Sequence, residues 1–283
     1  MPVTDQELTA LAASQDIISL GMLGDDIRRQ RHGTATTFVR VADIAADASS
    51  AVNVPPAAGE VRIVGLPPSR TAAVDRVRAV VSAAFGVAVS GFSLADLEHL
   101  AAREGVELGG LLDQLAAAGL ELVAEAPLDR LTDPRRAIEA VNIAGLTLAR
   151  LTIDQAGPEE PLALFKMVAD LQRQVAVIRT FAPLARRRSP AAETTGYEDL
   201  KRVALARVVV DNVASIQVDW SRYGPKLAQV ALTVGADDVD AVSALDDQSQ
   251  GHRRSPLEEI RRNIRAAGYE PVERTGRFEP RPA

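Results

Sequence analysis

No cysteine occurs anywhere in the 283 residues. The chain therefore forms no disulfide, offers no thiolate nucleophile, and has no sulfur with which to ligate zinc or an iron–sulfur cluster. Aromatic residues make up only 4% of the chain, with a single Trp, so the core must be packed from Val, Leu, Ile and Ala. Histidine is scarce: His32, His99 and His252 are scattered without metal-ligand spacing, and each reads as a surface or helix-capping residue. Positive charge is not in excess; the formal net charge of -6 argues against nucleic-acid binding. No apolar run is long enough to span a bilayer and no signal peptide is evident, so a cytoplasmic protein with no membrane attachment is expected. No P-loop, HExxH or Ser–His–acid arrangement is found.

What the chain does have is alternation. Apolar content of 47% and charged content of 25% are those of an ordinary globule. Thr4 with Glu7 marks a first capped helix. Asp16 to Gln30 reads as a second, with Ile17, Ile18, Leu20, Leu23 and Ile27 as its stripe and Arg28, Arg29 and Arg31 at its C-terminal end. Thr36 to Val41 is a strand. Ala42 to Gly59, rich in Ala, Ser, Asp and Pro, is a loop. Strands follow at Val61–Leu66, Val87–Ser93, Leu120–Ala126, Leu146–Asp154, Val175–Ala182, Ser215–Ser221 and Asp237–Val242, with helical patterns between them. Strand–helix units repeating at this pitch predict an α/β protein whose parallel sheet closes into a (β/α) TIM-type barrel. An open doubly wound sheet is the alternative, but no Gly-rich phosphate fingerprint follows any strand. Boundaries are expected at 1–34 for N-terminal helices, 35–245 for the barrel, and 246–283 for a helix and an extended tail.

The stretch from Gly196 to Val242, GYEDLKRVALARVVVDNVASIQVDWSRYGPKLAQVALTVGADDVDAV, resembles the C-terminal half-barrel of aminodeoxyfutalosine synthase. That radical S-adenosylmethionine (SAM) family also includes dehypoxanthine futalosine cyclase and the second subunit of FO synthase. LGMLGDDIRRQRHGTATTFVRV, with Arg31-His32-Gly33, is similar to the family's entry into its first strand. SGFSLADLEHLAAREG is similar to a later strand and helix. The resemblance implies a barrel of the radical SAM kind, used in menaquinone (futalosine) biosynthesis. It also exposes a departure. The family carries a CxxxCxxC cluster loop and a first barrel helix where this chain has the short, cysteine-free Ala42–Gly59. A glycine-rich turn that lies against SAM in the family is replaced by AEAP, Ala124 to Pro127. The expectation is a barrel that is incomplete or has a shortened first β/α unit, with no cofactor, no iron–sulfur cluster, and SAM binding called into question.

Alternation selects the residues that would face the lumen: Arg150, Thr152 and Asp154 on one strand, Arg179 on the next, Gln217 and Asp219 on another, and Glu125 at its strand end. Buried charge must be paired, so an Arg150–Asp154 or Arg179–Asp219 network is the simpler expectation. An Arg fork meeting a carboxylate ligand is the sharper one. Arg186 to Arg188 reads as a solvated basic loop, Glu193, Glu198 and Asp199 as solvated acids, and Asp237, Asp238 and Asp240 as a strand-end cap rather than a metal site. Three functions follow. One is a pseudoenzyme that binds an aromatic carboxylate or nucleoside intermediate, or pairs with an active radical SAM paralogue. Another is an enzyme doing acid–base chemistry, of lyase or hydrolase type, with Asp154, Glu125 or Asp219. The last is a retained fold with an unrelated ligand.

Overall fold

The computed structural model describes residues 4–47, 52–155, 161–187, 196–245 and 255–281. Arg188, Glu193 and His252 lie outside the described residues. Two helices lead in: α1 (Asp5–Ala13), closed at its start by the reciprocal Thr4–Glu7 capping box, and α2 (Ile17–His32), capped by Asp16 and ended at Gly33 with φ of 58°. The strands are β1 (Ala35–Ala45), β2 (Glu60–Val64), β3 (Ala88–Ser93), β4 (Leu122–Pro127), β5 (Thr147–Leu148), β6 (Leu151–Ile153), β7 (Thr180–Ala185), β8 (Ser215–Asp219), β9 (Asp238–Ser243) and β10 (Glu270–Glu273). Between and after them run α3 (Arg70–Ala84), α4 (Leu94–Arg103), α5 (Leu108–Ala117), α6 (Pro134–Ile143), α7 (Pro161–Val175), α8 (Gly196–Val209), α9 (Trp220–Leu232) and α10 (Pro256–Ala266).

All strand pairs are parallel, and β9 pairs with β1 through Thr37↔Asp238, which closes a barrel of 8 strands. β5 and β6 are two pieces of one strand, both pairing with β4. Outward residues such as Val61, Ile63, Val89, Val123, Leu151, Ile216, Val218 and Val239 are buried in one core cluster with the helices. That cluster also takes in Leu20 of α2 and Tyr269 before β10. Among the described residues, the connection from β1 to β2 contains no helix, whereas every other crossover contains one. The shortened first unit is therefore real. Gly59 N–H bonds to the Arg40 carbonyl and Ala46 N–H to that of Val64, so the connection is stitched to the strands it joins.

Three local readings change. β1 runs on to Ala45, beyond the expected end at Val41. Val175 ends α7, and the next strand begins only at Thr180 and runs through Pro183. The expected strand ended at Ala182, and a proline has no N–H to give to a ladder; the β6–β7 register shifts between Phe181 and Ala185, and Pro183 sits in that irregularity. The basic end of α2 is not wholly solvated either. Arg28 is fully buried, donating to the carbonyls of Gly33 and Ala35 at 2.8 and 2.7 Å and lying 3.6 Å over the Tyr269 ring.

The tail closes the bottom of the barrel. β10 pairs with the lower half of β1, Ala35 to Phe38, while β2 takes the upper half. Beyond it Phe278 packs on Ala88, Leu122 and Ala149. Arg274 is buried and grips the Asp238 carboxylate with two bonds of 2.7 Å.

Candidate functional site

Inward side chains meet across the barrel in layers. The middle layer is ionic. Arg62 of β2 donates to Asp240 of β9 at 2.8 and 3.2 Å and to Glu60 at 2.9 Å. Arg150, between β5 and β6, reaches the same Asp240 and lies 3.4 Å from Glu60. Ser90 Oγ donates to Glu60 at 2.6 Å. β9 and β5 are not neighbours in the sheet, so these contacts cross the lumen. Burial raises the Glu60 carboxyl, but Arg62 and Arg150 outweigh it and hold it at about 2. Burial, with Arg62 beside it, pushes the Arg150 guanidinium down to about 9.

Above this layer, where the strands end, lies a cavity of about 230 Å³. It is lined by Asp43, Arg62, Ser93, Glu125, Arg150, Arg186, Asp219 and Arg222, with Ile63, Val64, Phe92 and Ala241 as its apolar wall. Catalytic and binding residues of such barrels belong at this end. Phe92 and Ala241 both hold left-handed backbone, φ of 62° and 57°, a conformation that costs a non-glycine residue roughly 1–3 kcal/mol. Arg186 pairs with Asp219 at 2.5 Å and with Glu125 at 3.1 Å. Asp219 also caps α9, accepting from Arg222 N–H and Ser221 Oγ at 2.9 Å each. Burial raises the Asp219 carboxyl, but Arg186 and these donors carry it below the ordinary carboxylate range. Arg222 donates to the Arg186 carbonyl at 2.9 Å. Asp43 stands apart: it accepts no hydrogen bond from any described residue and is exposed at the mouth of the cavity. Partial desolvation pushes its carboxyl upward, with Arg62 pulling the other way.

The expected site residues divide. Arg150, Asp219 and Glu125 line the cavity together. Gln217 is deeper, donating to Asp238 at 2.6 Å. Thr152 is fully buried with its hydroxyl unpartnered. Asp154 sits outside the cavity, held by Arg187 Nε at 3.0 Å, with Arg130 at 3.8 Å. Arg179 precedes β7 and is exposed at the opposite end, in a second cleft of about 230 Å³ with Ile138, Val141 and Leu148. The expected Arg150–Asp154 and Arg179–Asp219 pairs do not form. The later start of β7 is the reason: it takes Arg179 out and brings Arg186 in, so Arg186 is a lumen residue and not part of a solvated loop. Asp199 is likewise buried, and Asp238 and Asp240 are ionic partners inside the barrel. Sequence reasoning missed Asp43, Glu60, Arg62 and Asp240. The alternation of Glu60 and Arg62 against Val61 and Ile63 was the available signal. Each guanidinium of the cavity already has a hydrogen-bond acceptor, while Nε of Arg150 and of Arg186 is buried without one.

The cofactor implied by the resemblance is an iron–sulfur cluster with SAM, and the residues present do not fit it. The connection after β1 offers no thiol, and no three His, Cys, Asp or Glu side chains among the described residues could hold a metal ion. Glu125, inside the segment that replaces the glycine-rich turn, is ion-paired to Arg186.

Comparison with known proteins agrees with this architecture. Residues 179–283 match the CofH/MqnC C-terminal region. The chain is 30% identical over 210 residues to the cyclic dehypoxanthine futalosine synthase of Streptomyces coelicolor, covering 65% of this chain and 52% of that protein. It is 27% identical over 232 residues to the aminodeoxyfutalosine synthase of the same organism, covering 68% and 60%. This chain is a homologue of those synthases. It spans about half to three fifths of their length. A stretch of 88 residues is 41% identical to a 5-amino-6-(D-ribitylamino)uracil–L-tyrosine 4-hydroxyphenyl transferase of Methanosarcina barkeri, covering 29% of this chain and 23% of that protein. Among solved structures, methylornithine synthase (PylB) superposes with a TM-score of 0.69 at 11% identity, covering 96% of this chain and 95% of that one. The hydrogenase maturase HydG from Carboxydothermus hydrogenoformans gives 0.64 at 12%, covering 96% and 76%. Both share the fold. No described helix is long and apolar enough to cross a membrane.

Proposed function

We propose that this homologue of the futalosine synthases works without radical chemistry, as a binding or accessory protein of menaquinone (futalosine) biosynthesis. The observation that carries this reading is the first β/α connection. It contains neither a helix among its described residues nor any thiol, while the cavity at the strand ends is kept and lined with ordered charge. Reductive cleavage of SAM needs an electron from a metal centre; this chain has no cysteine, and its described residues hold no ligand set for a metal ion. The ligand occupies the cavity beside Arg186, Asp219 and Glu125. At about 230 Å³ the space is below the ~300–1,000 Å³ usual for drug-sized ligands, so one ring fits better than a whole nucleoside. An active radical SAM paralogue is the protein partner to try first.

The test has two arms. Purified protein is assayed for iron and for 5′-deoxyadenosine release from SAM under reducing conditions; none is expected. Thermal unfolding is then followed against aromatic acids, amines and nucleosides, because a ligand that binds only the native state raises the melting temperature. Brown, iron-loaded protein that cleaves SAM overturns the proposal. A melting temperature unmoved by every compound overturns the ligand site.

A further inference from the structure

The charge pairing of the cavity says more about its ligand. This step rests on the reading that the cavity is a binding site. Each of its guanidiniums is engaged: Arg62 and Arg150 by Glu60 and Asp240, Arg186 by Asp219 and Glu125, and Arg222 by a backbone carbonyl. Asp96 on the rim is taken by Arg130 at 2.9 Å. Of the carboxylates, Asp43 alone has no hydrogen-bonded or ion-paired partner among the described residues. The charges that face it are Arg62 and Glu60 on β2, Arg150 after β5 and Asp219 at the end of β8, and both arginines are already neutralised by acids beneath them. A second, independent feature lies in the same cavity. Ser93 and Arg186 both line it, and in each a buried donor, Ser93 Oγ and Arg186 Nε, has no acceptor among the described residues.

We infer that the cavity takes a small organic monocation, an amine about one ring in size, whose ammonium sits on Asp43 and whose other end offers an uncharged oxygen to Ser93 and Arg186. A carboxylate there meets only guanidiniums that already have an acid beside them, and it adds to the excess of Asp43, Glu125 and Asp219 over Arg186 and Arg222. An ammonium instead completes the pairing, and a charge-assisted hydrogen bond at a partly desolvated site is the stronger kind.

Three matched probes separate the outcomes: phenylethanolamine, its neutral N-acetyl derivative, and mandelate. The full chain is unfolded thermally at pH 7.5 with each probe at millimolar concentration. A concentration-dependent rise in melting temperature is expected with the amine alone. Asp43→Asn should abolish that rise, and Asp43→Glu should retain most of it; the apo melting temperature of each variant, measured alongside, shows that it is folded. Ser93→Ala should weaken the amine's effect several-fold. Stabilisation by mandelate or by the N-acetyl compound as strong as by the amine overturns the inference and leaves the ligand site standing. Amine stabilisation that persists in Asp43→Asn also overturns it. No response to any of the three removes the inference, and a further lack of response to the wider panel removes the site.

Discussion

Asp240 shows what one carboxylate does in a lumen of this kind. It is fully buried and accepts from Arg62 and Arg150 together. Removing one partner of a buried ion pair leaves the other charged and unsolvated, at a cost of about 3–5 kcal/mol. Asp240→Asn should therefore lower stability by about that amount, read as a fall in the urea midpoint at unchanged slope. Adding Arg150→Met should recover part of the loss, because it removes one of the stranded charges. Glu60 makes a pH prediction. Its folded value of about 2 lies below the ordinary 4.5. Its contribution to stability is therefore present above pH 4.5 and lost as pH falls through that window towards 2. Glu60→Gln should flatten the pH dependence of stability there, measured by urea unfolding at successive pH values. A variant as steep as the parent would place the acid sensitivity elsewhere.

At the scale of the element, the seating of α2 against α8 and against the turn after α9 rests on glycine. A Cβ at Gly24 would lie 2.3 Å from the Val234 carbonyl oxygen and 3.4 Å from Cα of Ala204. Gly24→Ala must push α2 away from the turn that holds Val234, and overpacking of this kind costs roughly 1–3 kcal/mol. Gly109, inside α5, is the counterpart, since a Cβ there meets nothing within 4 Å. Gly109→Ala should stabilise by about 0.5–1 kcal/mol through the lower entropy of the unfolded chain. Thermal unfolding of the two variants should move in opposite directions. Equal behaviour would mean that helix propensity, not the close approach, governs α2.

For the whole molecule, the C-terminal tail acts as the floor of the barrel. β10 supplies hydrogen bonds to lower β1, Arg274 neutralises Asp238, and Phe278 fills the space over Ala88, Leu122 and Ala149. A chain ending at Gly268 loses all three and leaves Asp238 buried without its cation. It should bind a hydrophobic dye and unfold without a cooperative transition. Arg274→Met with Asp238→Asn removes both charges together and should stay folded and cooperative. A truncated chain that unfolds as sharply as the full one would show the tail to be an accessory to the fold.

Alternation and capping determined much in advance: the order of strands and helices, the parallel barrel and the capped start at Thr4 followed from local pattern, because period and cap chemistry act within a few residues. The absence of cysteine was complete in the sequence and needed no coordinates. The site was only partly legible. Arg150 and Asp219 came from strand alternation and Glu125 from its strand end, but Arg179 and Arg186 exchanged places because β7 starts only at Thr180. Which acid meets which arginine was left to closure of the barrel, since Asp240, Arg150 and Glu60 come from strands far apart in sequence and meet only across the lumen. A side chain's direction is a local property, whereas the pairing of buried charges is set by how the strands are staggered around the ring.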